Sequence, residues 1–133
     1  MPFTTSIPTV CTPDGRNLHL LEPIIYAALN GSVITVPAGF HSDGASVPRA
    51  LWPAVAPFGR HWRAAILHDY LYRETYLPKS YCDQIFLEAM TSDGVDQVTR
   101  TLIYDTVVAA GGPAFHADRL ALDQKTNAER LKG

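Results

Sequence analysis

His68, Asp69, Tyr72 and Asp83 are the residues of this 133-residue chain whose types and spacing suit them to chemistry. On a helix, positions 68 and 72 share one face, and position 69 lies about 100° around from 68. Their neighbours Ala64-Ala65-Ile66-Leu67 and Leu71 are apolar. Burying an imidazole and a carboxylate among them costs several kcal/mol unless each finds a partner. If Asp83 starts a second helix packed antiparallel on the first, its carboxylate reaches His68 or Tyr72. A carboxylate on one imidazole nitrogen fixes the tautomer and raises the basicity of the other, as in a water-activating base. Asp69 has the chemistry of a cation ligand that polarises a bond under attack. The same residues also suit a buried network that fixes the fold. Asp83 has a local alternative too, since Ser80-x-x-Asp83 has the form of a capping box.

The preceding segment supplies a third element. Between Pro37 and Pro57 the chain holds four prolines and two glycines, which excludes a long helix or central strand and indicates a structured loop. Asp43, Ser46 and the carbonyls around Gly44 offer the mixed oxygen set that holds hard cations such as calcium. They equally suit Asx-turn or capping roles within the loop. His41 and Arg49 are further candidates to line the site. Zinc fits less well, because no two histidines stand three or four residues apart and His61 precedes His68 by roughly 10 Å of helix.

Elements follow from the periodicity. Leu18–Ala28 and Ser32–Val36 are apolar and β-branched and meet at Asn30-Gly31, which predicts a hairpin; Leu20–Leu29 also allows a short helix. Trp62, Ala65, Ile66, Asp69 and Tyr72 follow helical spacing, with Ala64, Leu67, His68 and Leu71 as a second stripe, so this helix packs on two sides. A second helix is expected from about Ser80, with Cys82, Ile85, Phe86, Ala89 and Met90 inward, ending at Asp93-Gly94. A third is expected from Val95 to Ala110, on Val98, Leu102, Ile103, Thr106 and Val107, before the Gly111-Gly112-Pro113 stop. The expectation is an α+β fold: an N-terminal hairpin and a proline-rich loop, then a three-helix half, making one domain over 1–116. Residues 117–133 read as a polar, loosely attached tail.

Composition narrows the classes. At 47% hydrophobic and 18% charged residues the chain is globular. A net charge of −2 gives no electrostatic reason to expect nucleic acid. Cys11 and Cys82 form no CxxC pair, so neither a disulfide framework nor a structural zinc is expected. No signal peptide or membrane span is read. The sequence lacks G-x-S-x-G, G-x-x-x-x-G-K and G-x-G-x-x-G patterns, and Cys82 lacks evident activation as a nucleophile.

Two resemblances add to this reading. His68-Asp69-Tyr70-Leu71-Tyr72 followed by Asp83 resembles the H-D-x-x-Y…D signature of secreted and viral phospholipases A2. That implies His68 as base, Asp69 as calcium ligand, and Tyr72 and Asp83 as its supports. The glycine-rich calcium loop of those enzymes has no counterpart in Pro57-Phe58-Gly59-Arg60, and their disulfides are absent. The second resemblance is broader. Val36-Pro37-Ala38-Gly39-Phe40-His41-Ser42-Asp43-Gly44-Ala45-Ser46-Val47-Pro48-Arg49, Ala64–Tyr72 and Cys82–Met90 are similar to a small domain-of-unknown-function family, DUF1353, of tailed phages and prophages. Ser42 stands for that family's usual threonine and Cys82 for its usual alanine. This implies a phage origin and a one-domain module; with no signal peptide or membrane span read, synthesis in the host cytoplasm is expected, with or without incorporation in the virion.

The function expected is a phage hydrolase acting on an ester or amide of the host envelope, lipid or peptidoglycan. In it His68, Asp83 and Tyr72 are catalytic, and Asp69 and Asp43 hold calcium if a metal is used. The alternative is a non-catalytic tail or virion module, in contact with other phage proteins, whose His-Asp-Tyr network is structural. A host-factor binder is the third reading.

Overall fold

A computed structural model describes residues 9–11, 18–42 and 62–132. Among the described residues five short strands, β1 (Thr9–Cys11), β2 (Leu18–Leu20), β3 (Ile24–Ala27), β4 (Val33–Val36) and β5 (His41–Ser42), precede four helices. These are α1 (Trp62–Glu74), α2 (Lys79–Ser92), α3 (Gln97–Ala110) and α4 (Gly112–Lys132). The expected α+β class holds, with four helices among the described residues where three were expected.

The hairpin forms as its turn chemistry requires. β3 and β4 pair antiparallel, Ile24 opposite Val36 and Ala27 opposite Val33. Gly31 takes φ 91° at the turn, where a Cβ would be strained, and Asn30 Oδ1 accepts from Ser32 N at 3.0 Å. The apolar run from Leu18 divides at Leu21-Glu22-Pro23. Its first part, β2, joins a separate antiparallel sheet of order β1-β2-β5. The short helix that Leu20–Leu29 also allowed is not formed. Most of the proline-rich loop, including Asp43, Ser46 and Arg49, lies outside the described residues.

α1 is the central element. Every residue from Ala64 to Asp69, together with Leu71 and Tyr72, is buried, as two adjoining apolar stripes require. It packs on α2 and α4, and Leu20, Ile24, Tyr26, Val36 and Phe40 complete the same core. Polar ties fix the layers: the Tyr26 hydroxyl and Leu29 N both donate to Glu88 Oε1 on α2. Arg63 at the start of α1 makes a two-pronged pair with Asp93 at the end of α2, at 2.9 and 2.6 Å. α2 buries Cys82, Ile85, Phe86, Ala89 and Met90 as expected, and Gly94 closes it at φ 79°. Asp96 caps α3 by accepting from Thr99 N. Among the described residues no helix is long and apolar enough to cross a membrane.

Two expectations are corrected. α3 packs through Ile103 and Val107, whereas Val98 and Leu102 are 79% and 45% exposed. The two stripes are adjoining i, i+4 rows, and periodicity alone does not say which one meets the core. The second correction concerns residues 117–132, expected as a polar tail, which form most of α4. Gly111 ends α3, and Pro113 then sits in the first turn of α4, where a missing N–H costs nothing. The attachment is largely polar: Arg119 donates to the carbonyls of Leu71 and Tyr72 in the last turn of α1 and of Leu77 in the connection that follows, and lies over the Phe115 ring. Leu122 adds a buried apolar contact. A helix with so few apolar residues carries little hydrophobic signal.

Arg119→Met keeps the side-chain bulk and leaves those carbonyls without their charged donor. It is expected to lower unfolding free energy by about 2–3 kcal/mol, read from urea titration; a loosely attached tail would give no change.

Candidate functional site

α1 and α2 run antiparallel through the connection at 75–78, which brings the start of α2 against the last turns of α1. Asp83 there faces His68 and Tyr72. His68 Nε2 lies 2.7 Å from Asp83 Oδ1, and the Tyr72 hydroxyl donates to the same oxygen at 2.5 Å. Because an ionised carboxylate only accepts, Nε2 carries the imidazole proton and Nδ1 presents a lone pair. The ring is held by stacking on Phe86, with centroids 4.6 Å apart, and by the tilted Tyr72 ring at 4.2 Å.

The other carboxylate oxygen belongs to Lys79. Its Nζ donates to Asp83 Oδ2 at 2.7 Å, Val107 O at 3.1 Å and Val108 O at 3.4 Å. All three ammonium donors are thus used, two of them on the carbonyl end of α3, where a cation is favoured. The capping-box reading of Ser80-x-x-Asp83 does not hold. α2 begins at Lys79 after Pro78 with no side-chain cap, and the Asp83 carboxylate is spent on tertiary partners.

These groups are deeply buried, His68 at 0% and Asp83 at 2% exposure. Burial pushes the His68 pKa below its ordinary 6.5, against the pull of the Asp83 carboxylate and with a smaller push from Lys79. Burial alone would raise Asp83, but hydrogen bonds from His68, Lys79 and Tyr72 outweigh it and hold the carboxyl below its usual range. Burial and the bond to Asp83 raise the Tyr72 phenol, which stays protonated. The network is therefore a neutral imidazole, an ionised carboxylate and two fixed donors. Nδ1 of His68 is the buried side-chain polar atom left without a hydrogen-bond partner among the described residues.

Asp69, adjacent in sequence, turns elsewhere. It is 3% exposed and pairs with Arg73 at 3.4 Å, whose Nη1 also donates to the carbonyl of His41. The His41 ring bonds to His19 and takes no part in the His68 network. Among the described residues, no group of three or more His, Cys, Asp or Glu side chains could hold a metal ion. Asp69 beside a guanidinium does not by itself fit a calcium ion. Asp43, Ser46 and Arg49 lie outside the described residues. An open depression of about 540 Å³ is lined by residues 37–41, Tyr70, Arg73, Glu74 and Lys125, on the other side of α1 from His68. Cys82 is buried, its thiol pushed up to about 11 by burial, which suits a core residue and not a nucleophile.

Sequence reasoning thus offered the meeting of Asp83 with His68 or Tyr72 as one of two readings, beside the capping box, and missed Lys79. The i, i+4 spacing of Lys79 and Asp83 on α2 was the available signal. The carbonyls of Val107 and Val108 carry no sequence signal at all.

Two outcomes test this electrostatic arrangement. An imidazole held neutral below pH 6.5 disfavours the folded state on acidification, because the unfolded chain takes up the proton first. Urea titrations between pH 7 and 5 should show stability falling as pH drops, by up to about 1.4 kcal/mol per pH unit for this one proton. His68→Phe should remove that part of the slope. The Asp83 contribution should be lost at lower pH, below the usual carboxylate range. Asp83→Asn leaves the Lys79 ammonium without its buried counter-charge and is expected to destabilise by about 3–5 kcal/mol, by the same measurement.

Residues 18–107 match the model of a family described as a protein of unknown function, DUF1353. No curated protein and no solved structure matches the chain. The matched region runs from β2 through most of α3, includes His68, Tyr72, Lys79 and Asp83, and stops before α4. With well over half of its length inside that model, the chain belongs to the DUF1353 family.

Proposed function

We propose that the chain is a hydrolase of ester or amide bonds, with His68 Nδ1 as general base and Asp83 as its orienting partner. The observation that carries this reading is the unpartnered Nδ1 of His68. A histidine kept for structure alone is expected to satisfy both ring nitrogens, and a buried unsatisfied polar atom calls for a reason. Here the other nitrogen is held by an ionised carboxylate that also accepts from Tyr72 and Lys79. In the reaction Nδ1 takes a proton from water as its oxygen bonds to the carbonyl carbon. Asp83 stabilises the imidazolium, and the same proton passes to the leaving oxygen or nitrogen as that bond breaks. Tyr72 and Lys79 position Asp83 and do not touch substrate. His68 is fully buried, so substrate reaches Nδ1 only when the packing over the ring opens.

The motif resemblance to phage and prophage proteins points to the host envelope as the source of the substrate, a phospholipid ester or a peptidoglycan amide. A second reading has an observation of its own. His68, Asp69 and Asp83 are all sealed from solvent, as in a network whose role is to specify one packing of α1, α2 and α3. In that case the chain is a tail or virion module whose partners are other phage proteins.

The test is turnover of fluorogenic phospholipids and of purified peptidoglycan, with calcium and with a chelator, by wild type and His68→Gln. Loss of about 10²–10⁴-fold in the folded variant supports the hydrolase. No wild-type turnover on either substrate, together with a lowered melting temperature in His68→Gln, moves the assignment to the structural module.

A further inference from the structure

β2 and β5 are antiparallel neighbours, and their register sets His19 directly opposite His41. Directly opposed residues project from the same face of a sheet. The two rings meet edge to face, with centroids 4.3 Å apart and planes at 88°. His19 Nδ1 lies 2.7 Å from His41 Nε2. His41 is exposed and His19 half-buried, so solvent has access to the pair. One N–H donates to the other ring's lone pair, and a metal ion can take the place of that shared proton.

We propose that His19 and His41 form a two-imidazole chelate for a divalent late transition ion, Cu2+ or Ni2+, with water completing the coordination. The spacing selects the geometry. Two nitrogens ~2.0–2.1 Å from one ion stand about 2.9 Å apart when they are at right angles, and about 3.4 Å apart in a tetrahedron. The pair needs to open by about 0.2 Å for the tetragonal arrangement of Cu2+ or Ni2+, and by about 0.7 Å for tetrahedral Zn2+. Both donors are imidazole nitrogens, which suit these ions and not calcium or magnesium. Arg73 is engaged with the His41 carbonyl and with Asp69. Its charge is thereby opposed, and its guanidinium is held on the main chain. The site shares no side chain with the His68 network and stands whether or not that network is catalytic. An ion bridging the strands would also tie β2 to β5, which pair through two residue pairs among the described residues.

The experiment uses the full chain without an affinity tag, stripped of metal and titrated with CuCl2 and with NiCl2 by calorimetry. The copper-bound form is read by electron paramagnetic resonance. The expected result is one Cu2+ per chain, bound more tightly than Ni2+, with a nitrogen-coordinated tetragonal spectrum. His19→Gln and His41→Gln, each checked by circular dichroism, should both weaken Cu2+ binding about tenfold or more, while His61→Gln and His116→Gln leave it unchanged. Absence of binding by the wild type overturns the proposal. So does binding that survives both strand variants, or binding that is lost with His61 or His116.

Discussion

A carboxylate buried between helices is tolerated only if its charge and its lone pairs are met, and in this protein that requirement organises three elements. Asp83 on α2 draws His68 and Tyr72 from α1 onto one oxygen and Lys79 onto the other. Lys79 in turn reaches the last carbonyls of α3. The angle and offset of α1 against α2 are therefore set by short, directional bonds as well as by the apolar packing of Leu67, Leu71, Ile85 and Phe86. Hydrophobic contact would accept several registers of these helices; the four-residue polar network accepts one.

The same principle recurs at the other end of α1. A helix end buried against another element must satisfy its last carbonyls, and Arg119 of α4 does this for Leu71 and Tyr72 while also reaching Leu77. α4 is thus held by a polar anchor that complements the C-terminal dipole of α1. Its Phe115 also packs against the core, edge to face with Tyr72. Polar ties through Glu88 and through Arg63–Asp93 do comparable work where the hairpin and the start of α1 meet α2.

At His68 the chemistry and the access point in different directions. The tautomer, the ionised partner and the open Nδ1 lone pair are those of a base, while complete burial is that of a core residue. Both follow from one cause: the low-dielectric surroundings that keep the imidazole neutral also exclude water from it. Asp69, next to His68, is directed by helical geometry to a different face and into a pair with Arg73.

Periodicity in the chain was enough to place α1, α2 and α3 and the β3–β4 hairpin at Asn30-Gly31, and to offer the meeting of Asp83 with His68 or Tyr72 as one of two readings. These rest on local rules: helical spacing, turn residues that accept positive φ, and the cost of polar groups on an apolar helix. What was not legible depended on groups far apart in the chain or without side-chain identity. Lys79 is spaced to pair with Asp83, but its other two partners are backbone carbonyls, which look alike at every position. Val98 and Leu102 form as good an apolar stripe as Ile103 and Val107, and only the position of α2 and α4 decides which row is covered. α4 looked like a tail because one arginine on distant carbonyls leaves no periodic trace. His19 and His41 are separated by the whole β3–β4 hairpin, and only strand register, a tertiary property, sets them side by side.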